Sequence, residues 1–449
     1  MPLVLTGLLV AAILTERWLI PQTLLYTLPS GGAFLPPLLA AACATWVAAR
    51  ALRRQLRPFD VAWCTAFIIV SLNLGVHFLT AATWCGYGPW IVATGLLMAL
   101  RPPSDAAFRR GSSGLPIIII VPAGLLACSV ILDAENLWHL DKAWRPAGLL
   151  LNKNFAGEYL ALALPWLFVT ACASHATSRR WRAAAQVVLF AAVAALVATR
   201  CRTAWLAALA SVATMAWLRR ASLTTTLRAA MTVRRRRLTI AAAALALVTA
   251  LALPTRVQWT FADKRNSVTT LQHLVDLKSS NARTRIDEYA VTARVLAERH
   301  RLWSGFGAGQ WSRHTLFGTF VPHVDYVRVL SDGGAAALLA FAIALGLAAA
   351  AAWRRRTTHP EQLAFIVALV VDSLAEAPLF RPESIPLVIA ALTLTTAPQS
   401  DARNVLGVHT RDALCAPAVE LSAGNDLAPA AAVTRTTSSL TKTTDEHGG

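Results

Sequence analysis

The run Leu115-Pro-Ile-Ile-Ile-Ile-Val-Pro-Ala-Gly-Leu-Leu-Ala-Cys-Ser-Val-Ile-Leu132 carries no charged side chain. As a helix it comes close to crossing the roughly 30 Å hydrocarbon core of a bilayer. Comparable runs recur along most of the chain, near residues 2–20, 32–49, 61–80, 84–100, 115–133, 155–174, 183–199, 203–218, 238–253, 334–353, 362–377 and 384–397. The first of these carries Glu16 and Arg17, and the eleventh is short and polar. Of the 449 residues, 56% are hydrophobic and 15% are charged, and the mean hydropathy is +0.51. A soluble globular protein is nearer a quarter charged. A single soluble domain, a fibrous protein and a disordered chain are excluded. The expectation is an all-α polytopic membrane protein with about twelve transmembrane helices.

The net charge of +18 does not point to nucleic acid, because the basic residues sit in short clusters between apolar runs. Arg50 to Arg57, Arg101 to Arg110, Arg179 to Arg182, Arg219 to Arg237 and Arg354 to Arg356 fall in one alternate set of connections. The other short connections hold only Lys142, Arg145, Lys153, Arg200, Arg202 and Arg381. The basic side faces the cytoplasm by the positive-inside rule, so both termini are expected inside. Residues 2–14 lack a preceding basic stretch and read as part of a first span rather than a cleaved signal. Of the seven cysteines, Cys43, Cys64, Cys128 and Cys172 lie inside apolar runs, as small hydrophobes do. No repeat at a fixed period is evident.

Four regions follow. Residues 1–253 hold spans one to nine, and residues 254–333 form one large periplasmic loop. Residues 334–397 hold spans ten to twelve. Residues 398–449, rich in Thr, Ala, Ser and Asp with no apolar period, read as a disordered cytoplasmic tail. A loop as long as 254–333 in a compact protein is usually functional.

The candidate chemistry gathers on the outer side. The short loop Ala198-Thr199-Arg200-Cys201-Arg202-Thr203 places two arginines where positive charge is disfavoured. Either they snorkel to the interface or they bind an anion bidentately near the outer leaflet. In Asn281 to Arg301, the residues Ile286, Tyr289, Ala290, Ala293, Leu296 and Ala297 repeat at helical spacing. A helix lying on the membrane surface or capping the bundle fits them. Most of its charges form a solvated face, but Arg283 and Arg285 sit in the first turn, where a helix already favours anions. The helix runs into Trp303-Ser304-Gly305-Phe306-Gly307-Ala308-Gly309. No strand precedes these glycines and no Lys-Ser/Thr follows, so a tight turn fits better than a nucleotide loop. Beyond it His323 can act as a base near neutral pH, with His300 and His314 as rivals in the same loop. No His/Cys/Glu set has metal-ligand spacing. In the eleventh span Asp372 and Glu376 lie four apart. Each is either a functional intramembrane acid or the partner of an arginine.

In order and spacing, four segments resemble the O-antigen ligase family and its relatives, the O-antigen polymerases and protein O-oligosaccharyltransferases. They are Arg145-Pro-Ala-Gly148 with Asn152-Lys-Asn154-Phe-Ala156; Thr199-Arg-Cys201-Arg202-Thr203-Ala204; Arg285-Ile-Asp-Glu-Tyr289 with the glycine turn; and His323-Val-Asp325-Tyr326 with Asp332-Gly333-Gly334. The likeness covers roughly residues 140–350. Departures are Val321 and Val324 where the family tends to have His and Asn, Cys201 for Ser, and Thr203 for Gly.

The resemblance implies a C-type glycosyltransferase-like membrane fold and metal-independent, inverting glycan transfer without a cofactor. The donor would be an undecaprenyl-diphosphate-linked glycan at the periplasmic face of the inner membrane. The acceptor would be lipid A–core in a ligase, a lipid-linked repeat unit in a polymerase, or a protein hydroxyl. His323 is then the base. Arg202 and Arg285, with Arg200, bind the diphosphate, and Arg145, Asn154 and Asp325 support them. The chemistry agrees on its own terms: the leaving diphosphate needs its charge stabilised and the attacking hydroxyl needs a base. A transporter of an anionic or lipid-linked solute is the rival from another class. It would more often show broken spans in two related halves with charges near the midplane, where only Asp372 stands out here.

Overall fold

A computed structural model describes residues 35–53, 55–74, 81–100, 115–133, 148–150, 152–172, 179–199, 201–220, 254–259, 263–269, 280–315, 322–381 and 384–396. They are overwhelmingly helical. Helices α1 (Leu35–Leu52), α2 (Pro58–Leu74), α3 (Ala81–Leu100), α4 (Leu115–Leu132), α5 (Lys153–Cys172), α6 (Arg179–Thr199) and α7 (Arg202–Leu218) come first. A two-stranded antiparallel hairpin follows, β1 (Pro254–Trp259) and β2 (Asp263–Thr269), a small departure from the all-helical expectation. Then come α8 (Ser280–Glu298), the single turn α9 (Trp311–His314), α10 (Asp325–Arg354), α11 (Pro360–Ser373), a 3-10 turn (Pro378–Phe380) and α12 (Ile385–Thr395).

Each apolar run expected to span coincides with one of these helices, apart from 2–20 and 238–253, which lie outside the described residues, as does the tail 398–449. Lys153–Cys172, Arg180–Thr199 and Asp325–Arg354 are long and apolar enough to cross a membrane.

The bundle packs α10 along α2, α6 against α5 and α4, and α7 against α11 and α5. Where α5 meets the α6–α7 turn, a Cβ on Gly157 would lie 2.9 Å from the Cys201 Cβ and 3.0 Å from that of Ala204. Small residues permit this approach of backbones, as they do between membrane helices. The centre is aromatic: Trp63 neighbours Phe341 and Trp90, and Trp90 neighbours Phe380. Their polar handles are met, Trp63 Nε1 donating to Thr94 Oγ1 (3.1 Å) and Trp90 Nε1 to Asp332 Oδ2 (3.2 Å).

One break positions the site. The tenth span was expected to begin at residue 334, yet helix runs from Asp325 with non-helical backbone at Gly334 (φ 68°, ψ −168°). The helical bond between Ala335 N–H and Ser331 C=O is absent there. Leu302 C=O instead accepts from Ala335 N–H (2.8 Å), and Ser331 C=O accepts from Phe306 N–H (2.6 Å). The glycine turn thus plugs into α10 and satisfies both orphaned groups. A Cβ on Gly334 would strike the Trp303 carbonyl, and one on Gly305 would lie 2.6 Å from Gly334 N. Only glycine fits either place.

Candidate functional site

Helix α8 has two opposed stripes. Glu288, Thr292 and Leu296 are buried, at i, i+4 and i+8. Of the apolar face expected to lie on the membrane surface or cap the bundle, Ile286, Ala290, Ala293 and Ala297 are exposed. The stripe that docks is held by specific polar partners: Thr292 Oγ1 accepts from Trp311 Nε1 (2.8 Å), and Leu296 packs with Phe306 and Trp311. The apolar stripe continues outward into Leu302 and Trp303, the latter 70% exposed. Helix and turn therefore cap the bundle with one side and present an apolar side outward.

The helix ends in a Schellman motif. His300 takes the left-handed conformation (φ 57°), with Arg301 N–H donating to Leu296 C=O (2.8 Å) and His300 N–H to Ala297 C=O (3.1 Å). That makes this rival histidine a capping residue. His314, the other rival, stacks on Phe306 and is hydrogen-bonded at Nδ1 to Arg299 (2.8 Å). Burial and the neighbouring Arg299, Arg301 and Arg313 hold its pKa below the usual histidine range.

His323 lies just before α10 and is met by Glu288. The Glu288 carboxylate is fully buried and spends both oxygens on it: Oε2 accepts from the His323 backbone N–H (3.0 Å) and Oε1 lies 2.6 Å from Nδ1. A carboxylate only accepts, so Nδ1 carries the hydrogen and Nε2 is left as the basic nitrogen. The imidazole keeps 35% of its surface exposed.

Arg285, one turn before Glu288, places its Nη1 3.8 Å from Glu288 Oε1. Its Nε–Nη2 edge faces the turn after α11, with Nε donating to Ala375 C=O (2.8 Å) and Nη2 to Glu376 Oε1 (3.1 Å). Glu376 sits beyond the end of α11. It also accepts from Asn154 Nδ2 at Oε1 (3.0 Å) and from Arg381 Nη2 at Oε2 (2.6 Å). Arg381 in turn sits 3.3 Å from Glu158 Oε2 and over the Phe155 ring. Asn154 and Glu158 are one turn apart on α5, so α5, α8 and the α11–α12 connection meet through one polar cluster.

Asp325 ties the same connection to α10. Its Oδ2 accepts from Ser373 Oγ (2.7 Å) and Leu379 N–H (3.2 Å), and its own N–H donates to Glu376 C=O (3.2 Å). Its part is to hold the backbone beside His323. Asp372, completely buried, has no hydrogen-bond partner for either carboxylate oxygen among the described residues.

Arg202 is half-buried at the first turn of α7, directly after Cys201. Burial, with Glu376 and Glu158 nearby, pushes the Cys201 thiol up to about 12, so it stays a protonated small side chain at neutral pH. Arg202 thus begins the segment whose preceding residue feels the same two carboxylates. Arg145 and Arg200 lie outside the described residues. Among the described residues no group of three or more His, Cys, Asp or Glu is arranged to hold a metal ion.

Sequence reasoning singled out His323, Arg285 and Asn154, which the fold does bring to one side of the bundle. It passed over Glu288, Glu158 and Arg381. The rule that drew notice to Asp372, an acid inside an apolar run, applies equally to Glu158 four residues after Asn154. Glu288 had no such signal, since it looked like one more charge on a helix face. The sequence matches no protein-family model and no curated protein.

Proposed function

We propose that this chain is a polytopic inner-membrane glycosyltransferase that moves a glycan from an undecaprenyl-diphosphate donor to an acceptor hydroxyl at the periplasmic face. The lipid A–core ligase is the preferred form. The observation that carries the reading is the Glu288–His323 pair, whose 2.6 Å contact fixes the imidazole against a carboxylate that lies one helical turn after Arg285. His323 Nε2 takes the proton from the acceptor hydroxyl as it attacks the anomeric carbon, and the C–O bond to the diphosphate breaks. Arg285 and Arg202 stabilise the departing phosphate charge. Fixed arginines here stand where many phosphate-releasing enzymes use a divalent cation, so the transfer is proposed as metal-independent, with no cofactor.

The topology proposed with it has about twelve spans in a C-type glycosyltransferase-like arrangement, both termini cytoplasmic and residues 254–333 periplasmic. The exposed apolar stripe of α8 with Trp303 supports that placement, because aromatic and apolar side chains settle at the membrane interface. Polymerase and protein O-oligosaccharyltransferase forms share the same machinery and differ in acceptor. A transporter is the second reading, and Asp372, buried in α11 without a hydrogen-bond partner among the described residues, is the observation on its side.

The test is a deletion strain profiled for lipopolysaccharide on a gel, complemented with wild type and with His323→Ala. Loss of the whole O-antigen ladder with lipid-linked polymer accumulating indicates a ligase, and a core carrying one repeat unit indicates a polymerase. An unchanged profile, or rescue by His323→Ala, sinks the reading. Arg202→Lys is expected to be nearly as damaging as Arg202→Ala, because an ammonium cannot reproduce a bidentate grip. Rescue by Lys alone would reduce Arg202 to a point charge.

A further inference from the structure

Arg285 and Arg381 come from distant parts of the chain, yet both grip one carboxylate. Arg285 Nη2 reaches Glu376 Oε1 at 3.1 Å and Arg381 Nη2 reaches Oε2 at 2.6 Å. Asn154 Nδ2 adds a third donor at 3.0 Å. Two guanidinia converging on the two oxygens of a small anion is an arrangement that also suits phosphate. Here the anion belongs to the protein. The cluster is not sealed, since the Arg285 and Arg381 side chains keep 16% and 10% of their surface exposed. It is also electrically closed, because Glu376 and Glu158, with Glu288 3.8 Å from Arg285, more than balance the two arginines. An incoming diphosphate therefore meets little net positive charge while Glu376 stays in place, and the Nε–Nη2 fork of Arg285 is already engaged.

We propose that Glu376 is an internal stand-in for the substrate's anionic group. It holds Arg285 and Arg381 together in the resting protein and yields them to a diphosphate, which makes Arg381 a further diphosphate-binding residue. The proposal rests on the transfer from a lipid diphosphate set out above. Its consequence separates it from a purely structural ion cluster. A competing internal anion weakens ligand binding, so removing its charge or its anchor tightens that binding. A structural staple behaves oppositely: loosening it leaves binding unchanged or weakens it.

The test measures binding of inorganic pyrophosphate, and separately of a polyprenyl diphosphate, to the purified full-length protein in detergent. Glu376→Gln is expected to tighten binding about tenfold, the scale of one charge-assisted hydrogen bond. Asn154→Ala, which removes an anchor of Glu376 without changing any charge, is expected to tighten it a few-fold and guards against a folding defect in the first variant. Arg381→Gln is expected to weaken binding as Arg285→Gln does. Tightening with both ligands assigns the clamp to the diphosphate itself, and tightening with the lipid alone assigns it to the membrane-anchored headgroup.

Unchanged or weaker binding in both Glu376→Gln and Asn154→Ala overturns the proposal. If Arg285→Gln still abolishes binding in that case, the transferase reading stands without it. Absence of binding of either ligand to the wild type removes that reading first, and this inference with it.

Discussion

Among the described residues two histidines are paired with glutamates, and the pairs are built in opposite ways. His323 meets Glu288 across thirty-five residues, with the loop, the glycine turn and the start of α10 all needed to bring them together. His359 meets Glu361 two residues away, Nδ1 to Oε1 at 3.0 Å, at the start of α11. Glu288 is wholly buried and commits both oxygens to His323. The Glu361 side chain is 6% exposed and its His359 partner 51%. The second pair is a local device at a helix start, where an acid is favourable in any case. A short distance between an imidazole and a carboxylate is therefore not what marks a site. What marks it is that distant elements converge to hold the imidazole, with an arginine beside it.

That difference predicts unequal losses. His323→Ala should lower transfer by about 10²–10⁴-fold, the usual contribution of a general base, with membrane expression intact. Turnover of a purified donor and acceptor reads it, and a variant within a few-fold of wild type would erase the distinction between the pairs. Glu288→Gln keeps an acceptor near Nδ1 but removes the charge that stabilises the imidazolium during proton transfer. A loss of about 10–100-fold is expected, the range for groups that orient a functional histidine. A loss in KM alone, with kcat unchanged, would instead assign Glu288 to packing.

A third change sharpens the comparison through the backbone. Gly334→Ala places a Cβ against the Trp303 carbonyl at a positive φ. The glycine turn must then leave the break in α10, and the His323–Glu288 contact should loosen while His359–Glu361 stays intact. Backbone strain of this kind costs about 1–3 kcal/mol, and the clash adds to it, so a clear drop in melting temperature is expected together with lost activity. Gly346→Ala is the control within the same helix. A Cβ there meets nothing within 4 Å, and removing a helical glycine should raise stability by about 0.5–1 kcal/mol. Equal effects of the two alanines on melting would mean that the break is not held by the turn.

The parts of this architecture legible in the sequence are those with a local cause. Apolar runs such as Leu115–Leu132 became helices because length and hydrophobicity act residue by residue. The break at Gly334 was half visible: a span was expected to begin there, and the helix before it was not. Its nine residues, Asp325 to Gly333, bury Arg328 and Asp332 and carry little of the apolar signature of a span. Which face of α8 docks was not legible for a related reason. Its apolar residues repeat at helical spacing, but the buried stripe is chosen by Glu288 and Thr292, whose partners His323 and Trp311 lie elsewhere in the chain. Arg285 was singled out as a first-turn residue, although the helix starts at Ser280 and puts it in the second turn, whereas Arg381 looked like an isolated loop arginine until Glu376 and Glu158 were seen on it.

The smallest expected effect is the one that tests the comparison most directly. His359→Ala deletes an imidazole–carboxylate pair as short as many catalytic ones. Its pair is local and attached to a helix start, and the imidazole is half in solvent, so that water can take its place on the buried Glu361 and the contribution should be about 0–1 kcal/mol. Turnover should stay within about twofold of wild type. The same protein preparation carrying His323→Ala supplies the contrast, since both variants remove the same atoms and one hydrogen bond to a glutamate. Comparable losses from the two would show that pairing alone carries activity, and the convergence of α8, α10 and the α11–α12 connection around His323 would then explain nothing about the reaction.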